Sequence, residues 1–112
     1  MYMVDAHCDT ATFLEPTDYS GSSGKSQVDF ASLCRYGVGV QFWAIWQDRL
    51  KDEEFSFQKA LYLLEASSYQ AKHCPGMGVL TCREQLDRLA PGQSLLLLGL
   101  EGAEQLEGDL AN

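Results

Sequence analysis

Positive charge is scarce in this sequence. Its 112 residues carry 8 Lys and Arg against 16 Asp and Glu, a net charge of −8. Such a balance repels phosphate backbones and anionic headgroups, so nucleic acid and acidic lipid surfaces are not expected partners. Long hydrophobic runs are missing too. The strongest, Phe42 to Trp46 and Leu95 to Leu98, fall well short of the ~20 apolar residues of a membrane span, and no membrane association is expected. The N-terminus has no basic patch followed by an apolar core, hence no secretory leader is read there and a cytoplasmic location is expected. Close cysteine pairs are absent as well. Cys8, Cys34, Cys74 and Cys82 form neither a Cys-x-x-Cys pair nor a zinc-finger spacing, and are expected to be buried free thiols.

What the chain does have is an alternation of strand-like and helix-like segments. Met3 to Thr10 reads as a first strand, followed by a Pro-, Ser- and Gly-rich loop from Glu15 to Ser26. That loop is either a solvated connector or a lid facing a substrate. Ser26-Gln27-Val28-Asp29 has the form of a capping box, with Phe30, Leu33 and Cys34 at helical spacing behind it and Gly37 as a stop. Val38 to Trp46 is apolar except for Gln41, as in a parallel strand covered on both faces. Trp43 and Trp46 suit core packing there, or a pocket at the strand's end. Asp52 to His73 reads as a helix with Phe57, Leu61, Leu64 and Ala71 on its apolar stripe, acidic residues at its start and Lys72 and His73 at its end. His73 is expected to satisfy helix carbonyls rather than bind metal. Met77 to Leu80 is a short extended piece, Thr81-Cys82-Arg83-Glu84 a second capping box opening a helix through Leu89, and Ser94 to Leu100 a buried strand. This order is that of βαβ units on a parallel sheet, an α/β fold.

Chemistry gathers at two strand ends. His7 and Asp9, two apart on a strand, point the same way, while Cys8 points to the opposite layer. Glu101 follows the last strand and reaches the same rim if the two strands lie near each other. An imidazole and two carboxylates suit zinc or a similar divalent cation; the alternative is a hydrogen-bonded polar pair at a strand end.

The blocks Val4-Asp5-Ala6-His7-Cys8-Asp9, Gly37-Val38-Gly39-Val40-Gln41-Phe42-Trp43 and Leu98-Gly99-Leu100-Glu101-Gly102 through Leu110 resemble, in order, the membrane dipeptidase family of zinc metallopeptidases in its bacterial form. The resemblance implies a (β/α)8 TIM barrel, of which residues 1–112 would be the N-terminal portion of a single domain, since such a barrel takes about 250 residues. It implies His7 and Asp9 as terminal ligands of one zinc and Glu101 as a bridge to a second. The further histidines that the second zinc needs, and the basic residues that hold the substrate's carboxylate, have no match here. The implied activity is zinc-dependent hydrolysis of dipeptides by a hydroxide held between two metals, with this chain alone inactive. His7-x-Asp9 in place of the His-x-His of the broader amidohydrolase group favours the dipeptidases over other metal-dependent barrel hydrolases. The rival reading is a non-catalytic interaction or assembly fragment that self-associates through an exposed sheet edge.

Overall fold

The computed structural model describes residues 1–14, 26–47 and 56–111. The expected loop from Glu15 lies outside them up to residue 25, and so do the acidic residues Asp52, Glu53 and Glu54. Strands β1 (Met3–Cys8), β2 (Val38–Ile45), β3 (Met77–Val79) and β4 (Ser94–Leu100) alternate with helices α1 (Phe30–Tyr36), α2 (Phe57–His73) and α3 (Glu84–Asp87). The strands form one all-parallel sheet in the order β1-β2-β4-β3. This is the α/β architecture that the sequence pattern implies.

β2 lies between β1 and β4, and its backbone is enclosed for a simple reason. Val38, Val40, Trp43 and Ile45 are buried, and Val40–Ile45 pair in unbroken register with Leu95–Leu100. The core fills the space between the sheet and the helices α1 and α2: Phe30 and Leu33 from α1, Ala60, Leu63 and Ala71 from α2, with Cys8, Trp43, Ile45 and Leu96 from the strands. Phe30 and Trp43 meet with ring centroids 5.5 Å apart and planes tilted by 47°. A pair of this kind adds about 0.5–1.5 kcal/mol beyond burial. The other face of the sheet is open, with Phe42 on β2 and Val4 on β1 both exposed.

Several boundaries differ from the sequence pattern. α1 is capped by Asp29, not by Ser26: the Asp29 carboxylate accepts from the Ser32 amide at 2.7 Å and from its hydroxyl at 2.8 Å. Gly37 ends α1 in the left-handed region at φ 75°. α2 starts only after Ser56, whose hydroxyl accepts from the Lys59 amide. Its inner stripe is Ala60, Leu63, Ser67, Gln70 and Ala71, while the expected core positions Leu61 and Leu64 are exposed. The small side chains face inward because Trp43 occupies that space and needs the Ser67 hydroxyl, which accepts from Trp43 Nε1 at 3.0 Å. α3 is shorter than the helix expected through Leu89. Its lead-in is held by Gln85, whose Oε1 accepts from the amides of Thr81 and Cys82, in place of a Thr81–Glu84 box.

The cysteines are free, as expected, but only Cys8 is fully buried; Cys34 and Cys74 are half-buried and Cys82 is exposed. His73 Nδ1 lies 2.7 Å from the Tyr69 carbonyl oxygen, the helix-end role expected for it. Among the described residues, no helix is long and apolar enough to cross a membrane.

Candidate metal centre

All the candidate ligands lie at the C-terminal ends of the parallel strands. β1 stops at Cys8, so Asp9 is not a strand residue as its spacing suggested; it opens a 3₁₀ turn, Thr10–Phe13, with φ −101° and ψ 19°. The pairing of β1 with β2 also slips. Asp5 pairs with Gln41 and Cys8 with Trp43, so β1 carries one residue more than β2 over this interval. A bulge of this type re-aims side chains, and here it leaves Ala6 and His7 exposed while Cys8 turns into the core. The juxtaposition of His7 and Asp9 therefore comes from a bulge followed by a turn, not from strict strand alternation. His7 Nε2 lies 3.0 Å from Asp9 Oδ1.

Glu101 arrives from β4, two strands away. Its amide donates to the Ile45 carbonyl at 3.1 Å, extending the β2–β4 ladder by one residue, and its carboxylate Oε2 lies 3.6 Å from His7 Nε2. Ala44 of β2 is in register with Gly99 of β4, and a Cβ added at Gly99 would touch nothing. His7, Phe42, Ala44, Gly99 and Glu101 line an open cavity of about 460 Å³.

The three donor atoms, one ring nitrogen and two carboxylate oxygens, all lie within 4.8 Å of one another. Two carboxylates this close repel unless a positive charge lies between them. Each of the three side chains is open to solvent to some degree, from 29% for Asp9 to 55% for His7, so the group is accessible to an ion. A neutral imidazole nitrogen with two anionic oxygens is a donor set that fits zinc. The spacing therefore fits a cation held on this rim by His7, Asp9 and Glu101, and His73, on α2 and bonded to Tyr69, takes no part.

The rim has supports that its spacing in sequence did not reveal. Gln105 is 1% exposed, and its Nε2 donates to the Glu101 carbonyl at 2.9 Å and approaches the Ile45 carbonyl at 3.4 Å, tying the ends of β4 and β2 together. Gln47, fully buried, grips the Ser56 backbone from both sides, donating to its carbonyl at 2.9 Å and accepting from its amide at 3.1 Å. Glu107 accepts from the Phe57 amide at the start of α2, and the Thr12 hydroxyl donates to the Trp46 carbonyl at 2.6 Å. A glutamine inside an otherwise acidic and glycine-rich stretch, Glu101 to Asp109, is the one sequence signal that could have singled out Gln105. Trp43 is 1% exposed and belongs to the core, whereas Trp46 is only partly covered.

Over residues 1–112 the chain matches the family model described as Membrane dipeptidase (Peptidase family M19). No curated protein and no solved structure matches it.

Proposed function

The chain belongs to the membrane dipeptidase family of zinc metallopeptidases, whose fold is a TIM barrel, and from that premise we propose that it supplies the first part of a dinuclear zinc site for the hydrolysis of dipeptides. Its open four-stranded parallel sheet is then the N-terminal part of the barrel. The observation that carries the reading is the convergence of His7, Asp9 and Glu101 from β1 and β4 on one rim, with their ligand atoms within 4.8 Å. That rim is the C-terminal end of the strands, where TIM-barrel enzymes place their chemistry.

In this reading His7 would hold the zinc through Nε2, and Asp9 and Glu101 would each offer it a carboxylate oxygen. Zinc, when bound, polarises the scissile carbonyl and lowers the pKa of water. The residues of this chain hold the charge that such a centre needs and orient it: Gln105 fixes the Glu101 backbone, and the β1 bulge turns His7 outward. The cavity floor at Ala44 and Gly99 leaves room for a small substrate beside the ligands. The family resemblance calls for two further histidines at the second zinc. The other histidine of these 112 residues is His73, which is committed to α2, so the isolated chain is expected to be inactive and the activity to need later strands.

The test is zinc binding by the chain, followed by a dipeptide-hydrolysis assay on a protein that carries the whole barrel. His7→Ala and Glu101→Gln are each expected to lower zinc affinity by about 100-fold or more, since even loss of an outer-shell partner costs about 10–100-fold. Hydrolysis should fall to background with them. Full zinc affinity in both variants, or robust zinc-dependent cleavage by the 112-residue chain, would overturn the proposal.

A second reading rests on the open face of the sheet. Val4 on β1 and Phe42 on β2 are exposed there, and an apolar face of this kind favours association of the isolated chain with itself. Size-exclusion chromatography decides: a monomer that persists at high concentration counts against it.

A further inference from the structure

The metal rim depends on one irregular step in β1, and two side chains meet the backbone inside that step. β1 and β2 pair at Asp5–Gln41 and again at Cys8–Trp43, so Ala6 and His7 stand opposite Phe42 alone. A bulge of this kind disrupts the ladder locally. The His7 amide donates to Asp5 Oδ1 at 3.3 Å, two residues back along the same strand. The Phe42 carbonyl accepts from Gln41 Nε2 at 3.1 Å. Asp5 and Gln41 are themselves register partners, so the last regular pair before the bulge supplies a side-chain bond to each strand's backbone beyond it.

Both side chains are costly where they stand. Gln41 is the polar interruption of an apolar strand, fully buried, and its Oε1 has no hydrogen-bond partner among the described residues. Burying an amide is unfavourable unless it is bonded, so the bond to the Phe42 carbonyl offsets part of that cost. Asp5 is half-buried and stands outside the ligand cluster, which consists of His7, Asp9 and Glu101. A short carboxylate that accepts an amide two residues on fixes the local backbone. Here it fixes which residue faces the rim: His7 is exposed and Cys8 is buried, and a slip of one residue would exchange them. On the zinc reading of that rim, on which this inference rests, we propose that Asp5 is a positioning residue for the metal ligand His7. It holds the β1 bulge through the His7 amide, with Gln41 supporting the bulge from β2, so that the imidazole and not the Cys8 thiol faces Asp9 and Glu101.

The experiment compares Asp5→Ala with Asp5→Asn in the 112-residue chain. The two variants carry the same charge and differ in the acceptor they offer the His7 amide. Zinc affinity is read by chelator competition, and the zinc-free chain is labelled with a thiol reagent while mass spectrometry follows each cysteine. Asp5→Asn is expected to stay within about twofold of the wild type in zinc affinity, because an amide oxygen accepts the same bond. Asp5→Ala is expected to bind zinc about tenfold more weakly, the lower end of outer-shell losses. Its Cys8 should label about tenfold faster than that of Asp5→Asn, while Cys34 and Cys74, which report opening elsewhere, keep their rates. Gln41→Met, which keeps a long side chain but drops the donor, should speed Cys8 labelling in the same selective way; it carries the test should Asp5→Ala not fold. Equal zinc affinity in Asp5→Ala and Asp5→Asn, or Cys8 labelling that rises only together with Cys34 and Cys74, would overturn the proposal. If His7→Ala binds zinc as tightly as the wild type, it is the zinc reading that fails, and the labelling ratio alone then decides whether Asp5 keeps His7 outward and Cys8 inward.

Discussion

Gln105→Leu is the substitution that bears most directly on how the rim is built. The side chain is 1% exposed, and its Nε2 is the donor that holds the Glu101 carbonyl at 2.9 Å. Leucine keeps most of the volume but removes that donor, leaving the carbonyl without it. A lost internal hydrogen bond costs about 0.5–1.5 kcal/mol, and a stranded buried acceptor raises the cost towards about 3 kcal/mol. One term opposes this. Gln105 Oε1 is itself buried with no hydrogen-bond partner among the described residues, and leucine relieves that burden. The expected net is a loss of about 1 kcal/mol, a fall in Tm of roughly 4 °C for a chain of this size. The functional effect should be larger than the stability effect, because the freed segment carries a ligand: zinc affinity is expected to drop about 10–100-fold, as for other outer-shell losses. Urea unfolding followed by tryptophan fluorescence, with zinc competition against a chelator, measures both. A variant that unfolds earlier yet binds zinc as tightly as the wild type would refute the idea that Gln105 sets the position of Glu101.

Two further outcomes follow from buried groups. Ser67→Ala strands Trp43 Nε1 in the core, where the Ser67 hydroxyl now accepts from it at 3.0 Å; the expected cost is about 1–3 kcal/mol in urea unfolding, and no loss would show that the indole finds another partner. Cys8, Cys34 and Cys74 are all raised by burial from an ordinary value of 9.0, so the unfolded chain ionises them first. Their contribution is intact below pH 9.0 and is lost as pH rises through the higher folded values. Thiol labelling near pH 8 should show one fast cysteine, the exposed Cys82, and three slow ones; equal rates would contradict the burial.

The last strand and the end of α1 were legible in this sequence because a local signal decides each of them. β4 runs over Ser94–Leu100 as its apolar run implies, and Gly37 stops α1 because only a left-handed residue continues the chain there. The stripe that α2 buries was not legible. Leu61, Tyr62, Leu63 and Leu64 are apolar all round the helix, so periodicity alone cannot choose between faces. The choice is made by a residue on another element, Trp43, whose indole needs both space and an acceptor. Asp29 displaced Ser26 as the cap of α1 for a local reason, since its carboxylate reaches the amide and the hydroxyl of Ser32 together.

The same distinction runs through the metal rim. His7, Asp9 and Glu101 can be picked out because each is a ligand-type residue in or beside a strand, and the two-residue spacing of the first pair reads as strand alternation. Their actual meeting depends on a β1 bulge, a 3₁₀ turn at Asp9 and the β1-β2-β4 strand order, none of which is written into the residues that meet. The supports were less legible still. Gln47 and Gln105 bond backbone groups, Ser56 for one and Glu101 and Ile45 for the other, and any residue can offer those groups. A backbone partner leaves no mark in sequence, so a buried glutamine beside a ligand-bearing strand end shows its purpose only once the carbonyl it holds has been placed. Ligands are therefore chosen by chemistry that the sequence displays, and their geometry by contacts that it does not.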